Sequence, residues 1–221
     1  MEKIIEELAA WTFIDELKHE LYGFILEKQF EETDNKYLIF RYHNEENKRN
    51  FSVLYDGATK EFIARVIIGL TEFCDIRFIV SSRDVLEKVL KEKLESTLKD
   101  LAYFNINNID CIVREKKIIE WPFAQQLPDK IGKFTLFIAP NEPVKVINGS
   151  YILVDYCDFV SESNLIIYYN IFRDEFFGEV KVKRTPRMIA DFDSKTLDEL
   201  EGKLKEKLVQ TLECITVYDP N

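Results

Sequence analysis

The run Leu90-Lys91-Glu92-Lys93-Leu94 returns as Leu204-Lys205-Glu206-Lys207-Leu208, and Thr97-Leu98 returns as Thr211-Leu212. The shift is 114 positions in a chain of 221, which divides the sequence close to its middle. Lysine, glutamate and leucine recur by chance in helices, so the register needs support from other text. It continues through Lys3-Ile4-Ile5-Glu6 and Lys117-Ile118-Ile119-Glu120. Tyr37, Tyr42 and Tyr55 return as Tyr151, Tyr156 and Tyr169, and Glu61-Phe62 as Glu175-Phe176. Val66, Thr71, Phe78 and Glu87 return as Val180, Thr185, Phe192 and Glu201, and the turn Asp34-Asn35 falls opposite Asn148-Gly149. One gapless register through helix, strand and turn implies a unit written twice, residues 1–107 and 108–221.

Each copy reads as a helix, about five strands and a second helix. Over residues 2–20, Ile4, Ile5, Leu8, Trp11, Ile14 and Leu17 recur at helical steps. Strands follow at Tyr22–Phe30, Tyr37–His43, Phe51–Tyr55, Glu61–Ile68 and Cys74–Val80, with Asp56-Gly57 as a hairpin signal. Such short connections imply an antiparallel meander. Ser82 is placed to cap a helix reaching about Leu101, whose Leu86, Leu90, Leu94 and Leu98 face the sheet. In the second copy, Pro122 and Pro128 predict a short or broken first helix, and Pro140 and Pro143 interrupt the first strand. The expected fold is therefore α+β: two tandem α-β5-α repeats, antiparallel meander sheets with helices packed on one face, and a pseudo-twofold relation between them.

Composition narrows the function. Seventeen Phe and ten Tyr supply a core, while the net charge of −10 repels phosphate. Neither nucleic acid nor a membrane is an expected partner. No apolar run approaches the ~18 residues of a membrane helix, and the charged N-terminus is no signal peptide, which points to the cytoplasm. Cys74, Cys111, Cys157 and Cys214 lack metal-ligand spacing and only two His accompany them, so no metal or cofactor is expected. No nucleophile elbow, P-loop, dinucleotide fingerprint or zincin motif occurs, and the chain does not read as an enzyme. His19 and His43 read as structural. Asp155, Asp158, Asp174 and Glu175 read as solvated loop charge, and Lys181–Arg187 as a basic turn.

The sheet face turned away from the helices is the unusual feature. Alternation assigns Leu38, Phe40, Tyr42, Phe62, Ala64, Val66, Ile68, Cys74, Ile76, Phe78 and Val80 to the helix side, and Met188, Ala190 and Phe192 likewise in the second copy. The opposite face carries Ile39, Arg41, Ile63, Arg65, Ile67 and Arg77 in the first copy, and Leu153, Asp155, Phe177, Glu179 and Asp191 in the second. It is half apolar, and its charges reverse sign between copies: Arg41 against Asp155, Arg65 against Glu179, Arg77 against Asp191. Large apolar patches mark interfaces, and charge sets their register. The expected function is a non-catalytic protein-interaction module of adaptor, chaperone or immunity type, meeting a protein partner or a second copy in a homodimer. The alternative is a small-molecule or lipid-binding protein with a cavity between sheet and helices.

Overall fold

The computed structural model describes residues 2–146 and 149–217, the side chains of the last two excepted; Asn148 of the expected turn lies outside them. The protein is α+β and divides into two compact units, Met1–Phe104 and Asn105–Asn221, each with its own antiparallel sheet.

Unit 1 runs α1 (Glu2–Ala9), α2 (Phe13–Glu16), β1 (Glu20–Leu21), β2 (Phe24–Thr33), β3 (Lys36–Asn44), β4 (Arg49–Asp56), β5 (Glu61–Ile68), β6 (Thr71–Val80) and α3 (Arg83–Ala102). The strands form one meander, β1 to β6 in sequence order. Asp34 and Asn35, both left-handed, close the β2–β3 hairpin in the conformation that aspartate and asparagine tolerate best. Ser82 caps α3, its hydroxyl accepting from the Val85 N–H at 3.4 Å. Leu86, Leu90, Leu94 and Leu98 form the buried stripe of that helix.

The continuous helix expected over residues 2–20 is broken instead, and its pieces show why. Trp11 and Phe13 are both buried. Two residues apart on a helix means about 200° apart around its axis, so one helix cannot bury both on one side. The chain leaves the helix after Ala9 and presents the two rings together, 5.5 Å between centroids. Trp11 Nε1 donates to Glu87 Oε2 of α3 at 2.7 Å, and Lys91 Nζ lies 5.2 Å from the Phe13 ring centre. Left-handed Tyr22 and Gly23 then turn the chain so that β1 pairs with β2. The sheet therefore has six strands rather than five.

Unit 2 runs α4 (Cys111–Glu115), a 3-10 turn (Pro122–Gln126), β7 (Lys130–Ile131), β8 (Phe134–Ile138), β9 (Val144–Lys145), β10 (Ser150–Asp158), β11 (Ser163–Asn170), β12 (Glu175–Val182), β13 (Thr185–Ser194) and α5 (Leu197–Val217). Its first helix is short: it ends at Glu115 just ahead of left-handed Lys117, while Pro122 opens the 3-10 turn and Pro128 lies beyond it. The stretch Pro140–Pro143 splits what would be one strand: β8 pairs with β10 at Asp155–Cys157, and β9 pairs with it at Tyr151–Ile152. Seven strands result. Leu200, Leu204, Leu208 and Leu212 form the buried stripe of α5.

Several contacts occur once in each unit. Trp121 Nε1 donates to Glu201 Oε2 at 3.2 Å, the Trp121 and Phe123 rings lie 5.4 Å apart, and Lys205 sits 5.3 Å from the Phe123 centre. Tyr42 donates to the Lys18 carbonyl at 2.6 Å and Tyr156 to the Pro128 carbonyl at 2.7 Å. The tryptophans stand 110 residues apart, whereas the glutamates they bond stand 114 apart. The gapless register of the sequence therefore fails ahead of β3 and β10. Lys3–Glu6 and Lys117–Glu120 are not in equivalent places; Lys117 is a left-handed turn residue, whereas Lys3–Glu6 are in α1. None of the described helices is long and apolar enough to cross a membrane.

Candidate interaction face

Strand β5 shows how unit 1 divides its two faces. Phe62, Ala64, Val66 and Ile68 are buried, and Glu61, Ile63, Arg65 and Ile67 between them are partly exposed. Pairing carries the exposed set across the sheet in rows. Ile63 faces Leu54, which faces Leu38; Arg65 faces Ser52, then Arg41, then Glu27; Ile67 faces Asn50, then His43, then Ile25. The face is a row of two arginines and a glutamate between an apolar row and a mixed one, in which Asn50 and His43 stand between two isoleucines.

The charges are matched inside the unit. Arg41 Nη2 lies 2.5 Å from Glu27 Oε2, and His43 Nε2 is 3.8 Å from the same oxygen. Arg65 Nη1 is 3.3 Å from Glu72 Oε1. Both arginines are only partly exposed, so these pairs are partly desolvated yet still within reach of water.

Four of the six candidate residues of unit 1 lie together on one accessible face: Arg41, Ile63, Arg65 and Ile67. The other two do not. Ile39 has no partner in the β3–β4 register, which passes from Leu38–Leu54 directly to Phe40–Val53, and it is fully buried in that bulge. The bulge also puts Leu38 on the accessible face and Tyr37 opposite Tyr55 on the helix side. Arg77 belongs to the helix side. The β5–β6 pairing jumps from Ala64–Asp75 to Phe62–Val80, and the extra residues of β6 reverse its alternation. Arg77 Nη2 bonds Asp75 Oδ2 at 2.6 Å and reaches Thr97 Oγ1 of α3 at 3.3 Å. Cys74 consequently faces Arg65, and Ile76 is 71% exposed.

In unit 2 the same face is drier. Every residue of β10 is buried, as is all of β11 before Asn170. Leu153 is the unpaired residue of a bulge between Ile152 and Val154 and has no exposure, nor has Asp155. Both are therefore excluded from a freely accessible surface. Asn164 Nδ2 donates to Asp155 Oδ1 at 2.8 Å. Asp155 Oδ2 and Asn164 Oδ1 have no hydrogen-bond partner among the described residues. Burial pushes the Asp155 carboxyl up to about 6, against the opposing pull of Asn164, Cys157 and the Lys181 charge. The expectation of solvated loop charge also fails at Asp158, which is buried and lies 3.1 Å from Lys133 Nζ.

Phe177 and Glu179 do face outward on this side. The Phe177 ring stacks on Tyr168 with centroids 5.0 Å apart and planes at 17°. Glu179 lies 3.5 Å from Lys181 and pairs across the ladder with Met188, which is 58% exposed. Tyr168, Phe177, Glu179 and Met188, with Arg173 and Asp193, line a cleft of about 480 Å³. Met188 was expected on the helix side; the β12–β13 register, passing from Gly178–Ile189 to Phe176–Ser194, reverses it. Asp191 goes the other way, 3.1 Å from Lys207 of α5. The third sign-reversed pair thus lies at the helix side of both sheets. Phe177 and Tyr168 were legible on this face from alternation, but their stacking, the place of Met188 and Asn164 as the partner of Asp155 needed the register.

Among the described residues, no group of three or more His, Cys, Asp or Glu is placed to hold a metal ion. No family model, curated protein or solved structure matches this chain.

Proposed function

We propose that the protein is a non-catalytic interaction protein built from two copies of one helix–sheet–helix module, and that it binds protein through the sheet face its helices leave free. The duplication is supported by the two Trp–Glu–Lys–Phe clusters and the two tyrosine–carbonyl bonds, held by the same elements in each unit. A four-residue insertion between β8 and β10 accounts for the two spacings.

The observation that carries the interaction reading is the outward surface of unit 2, where a stacked Tyr168–Phe177 pair adjoins exposed Met188 within a charged frame. Aromatic and methionine side chains supply binding area, and charges around them set specificity. Ile63 and Ile67 beside Arg65 offer a similar, flatter surface in unit 1.

Self-association is the first form of such binding to measure. Light scattering after size exclusion, over a concentration series, is expected to show association that Phe177→Glu and Arg65→Glu both weaken. A chain that stays monomeric throughout, with both variants indistinguishable from it, rules out self-association through this face.

A further inference from the structure

On the opposite, helix side of unit 2, β12 and β13 and the last turns of α5 border an open groove of about 640 Å³. Val180, Val182, Ile189 and Ile215 give it an apolar lining, and two of them, Val180 and Ile215, are 7% and 2% exposed. That volume and lining fall in the range of small-molecule sites.

Unit 1 fills the matching positions with different side chains. On its helix side Val66 pairs with Phe73, and Arg77 crosses from β6 to Thr97 of α3. In unit 2 the corresponding pair is Val180–Arg187, and at the place of Arg77 stands Asp191, drawn to Lys207. The phenyl ring is replaced by a guanidinium and the crossing arginine is absent, so Thr211, at the place of Thr97, lines the groove.

Arg187 is the unused member of the basic run. Lys181 pairs with Glu179 and Arg184 with Glu162. Arg187 is exposed at the groove and has no ion pair among the described residues. Of the other charged residues that line the groove, Asp191 is engaged by Lys207 and Glu206 faces it from α5, which leaves Arg187 as the cation without a carboxylate of its own among the described residues. A guanidinium presents parallel donors that fit a carboxylate with two bonds. We propose that this groove binds an amphipathic carboxylate, its alkyl body on Val180, Val182, Ile189 and Ile215 and its carboxylate on Arg187.

Calorimetric titration of the full chain with decanoate, kept below micelle formation, tests this. One saturable site is expected, weakened about tenfold or more by Arg187→Gln and partly restored by Arg187→Lys. Arg187→Phe, which installs the unit 1 side chain, is expected to abolish binding. Decanol and decylammonium should bind more weakly than decanoate. A local readout in the wild-type chain needs no variant: Cys214 lines the groove and is exposed, so decanoate should slow its alkylation while exposed Cys111 reacts unchanged. No saturable heat, equal protection of both cysteines, or preference for decylammonium overturns the proposal. So does undiminished binding by the Gln and Phe variants.

Discussion

Asp155 concentrates the chemistry of unit 2 in one side chain. Its folded value of about 6 lies above the ordinary 3.8, so below about pH 4 it costs the fold nothing. As the pH rises toward and through 6 the unfolded chain ionises more readily, and stability is lost. The charged groups around it, Lys181 and Glu179, oppose each other and leave desolvation dominant. Protonated, Asp155 gains a donor, and Asn164 Oδ1 is an acceptor in want of one. Asp155→Asn supplies the same donor without the charge. It is expected to raise stability on the order of 2 kcal/mol near pH 8 and to change little near pH 4, read as paired thermal midpoints. No gain at the higher pH would show that the carboxylate is accommodated ionised. Gly149 makes the opposite case. At φ +69, a Cβ there would lie 2.5 Å from Phe172 Cε2, so Gly149→Ala is expected to destabilise by about 1–3 kcal/mol in denaturant unfolding.

At the scale of elements, the tryptophan clusters tie the N-terminal segment of each unit to its C-terminal helix. Trp11→Phe and Trp121→Phe keep a ring against Phe13 or Phe123 and remove only the indole donor. Each is expected to cost about 1 kcal/mol, measured as a shift in unfolding midpoint at unchanged slope. Bonds from Lys91 and Trp11 hold the Glu87 carboxyl below its ordinary 4.5, and a bond from Lys205, with Trp121 contributing, does the same for Glu201. That stability is present above pH 4.5 and lost as the pH falls through the lower folded values. The penalty of both variants should therefore shrink in acid.

The helical stripes, the meander and the capping serine were legible because each depends on residues a few positions apart. Which face a side chain occupies was legible only where strands run without bulges, as β5 does. A single inserted residue at Ile39 or Leu153, or several in β6 and β13, reverses everything beyond it. Alternation cannot locate such a residue, because the bulge is set by the neighbouring strand. Arg77, Asp191, Cys74 and Met188 were misplaced for that reason. The burial of Asp155 was hidden differently: its charge argued for water, and its partner Asn164 reaches it only through the β10–β11 register.

At the scale of the molecule, two units with separate sheets and separate leucine-lined cores imply separate folding. Fragments 1–104 and 105–221 should each melt cooperatively; a gradual melt by either would show that its core is incomplete. Differences between the units then carry the functional reading. Unit 1 keeps a row of paired arginines on its free face, and unit 2 shows an aromatic cleft there. Hydroxyl-radical footprinting of the associated and dissociated chain locates the binding face directly. Protection on association is expected at Ile63, Ile67, Phe177 and Met188, with Ile76, Val160 and Phe172 unchanged. Protection of those last three, with Phe177 and Met188 as reactive as before, would place the interface elsewhere and contradict the assignment.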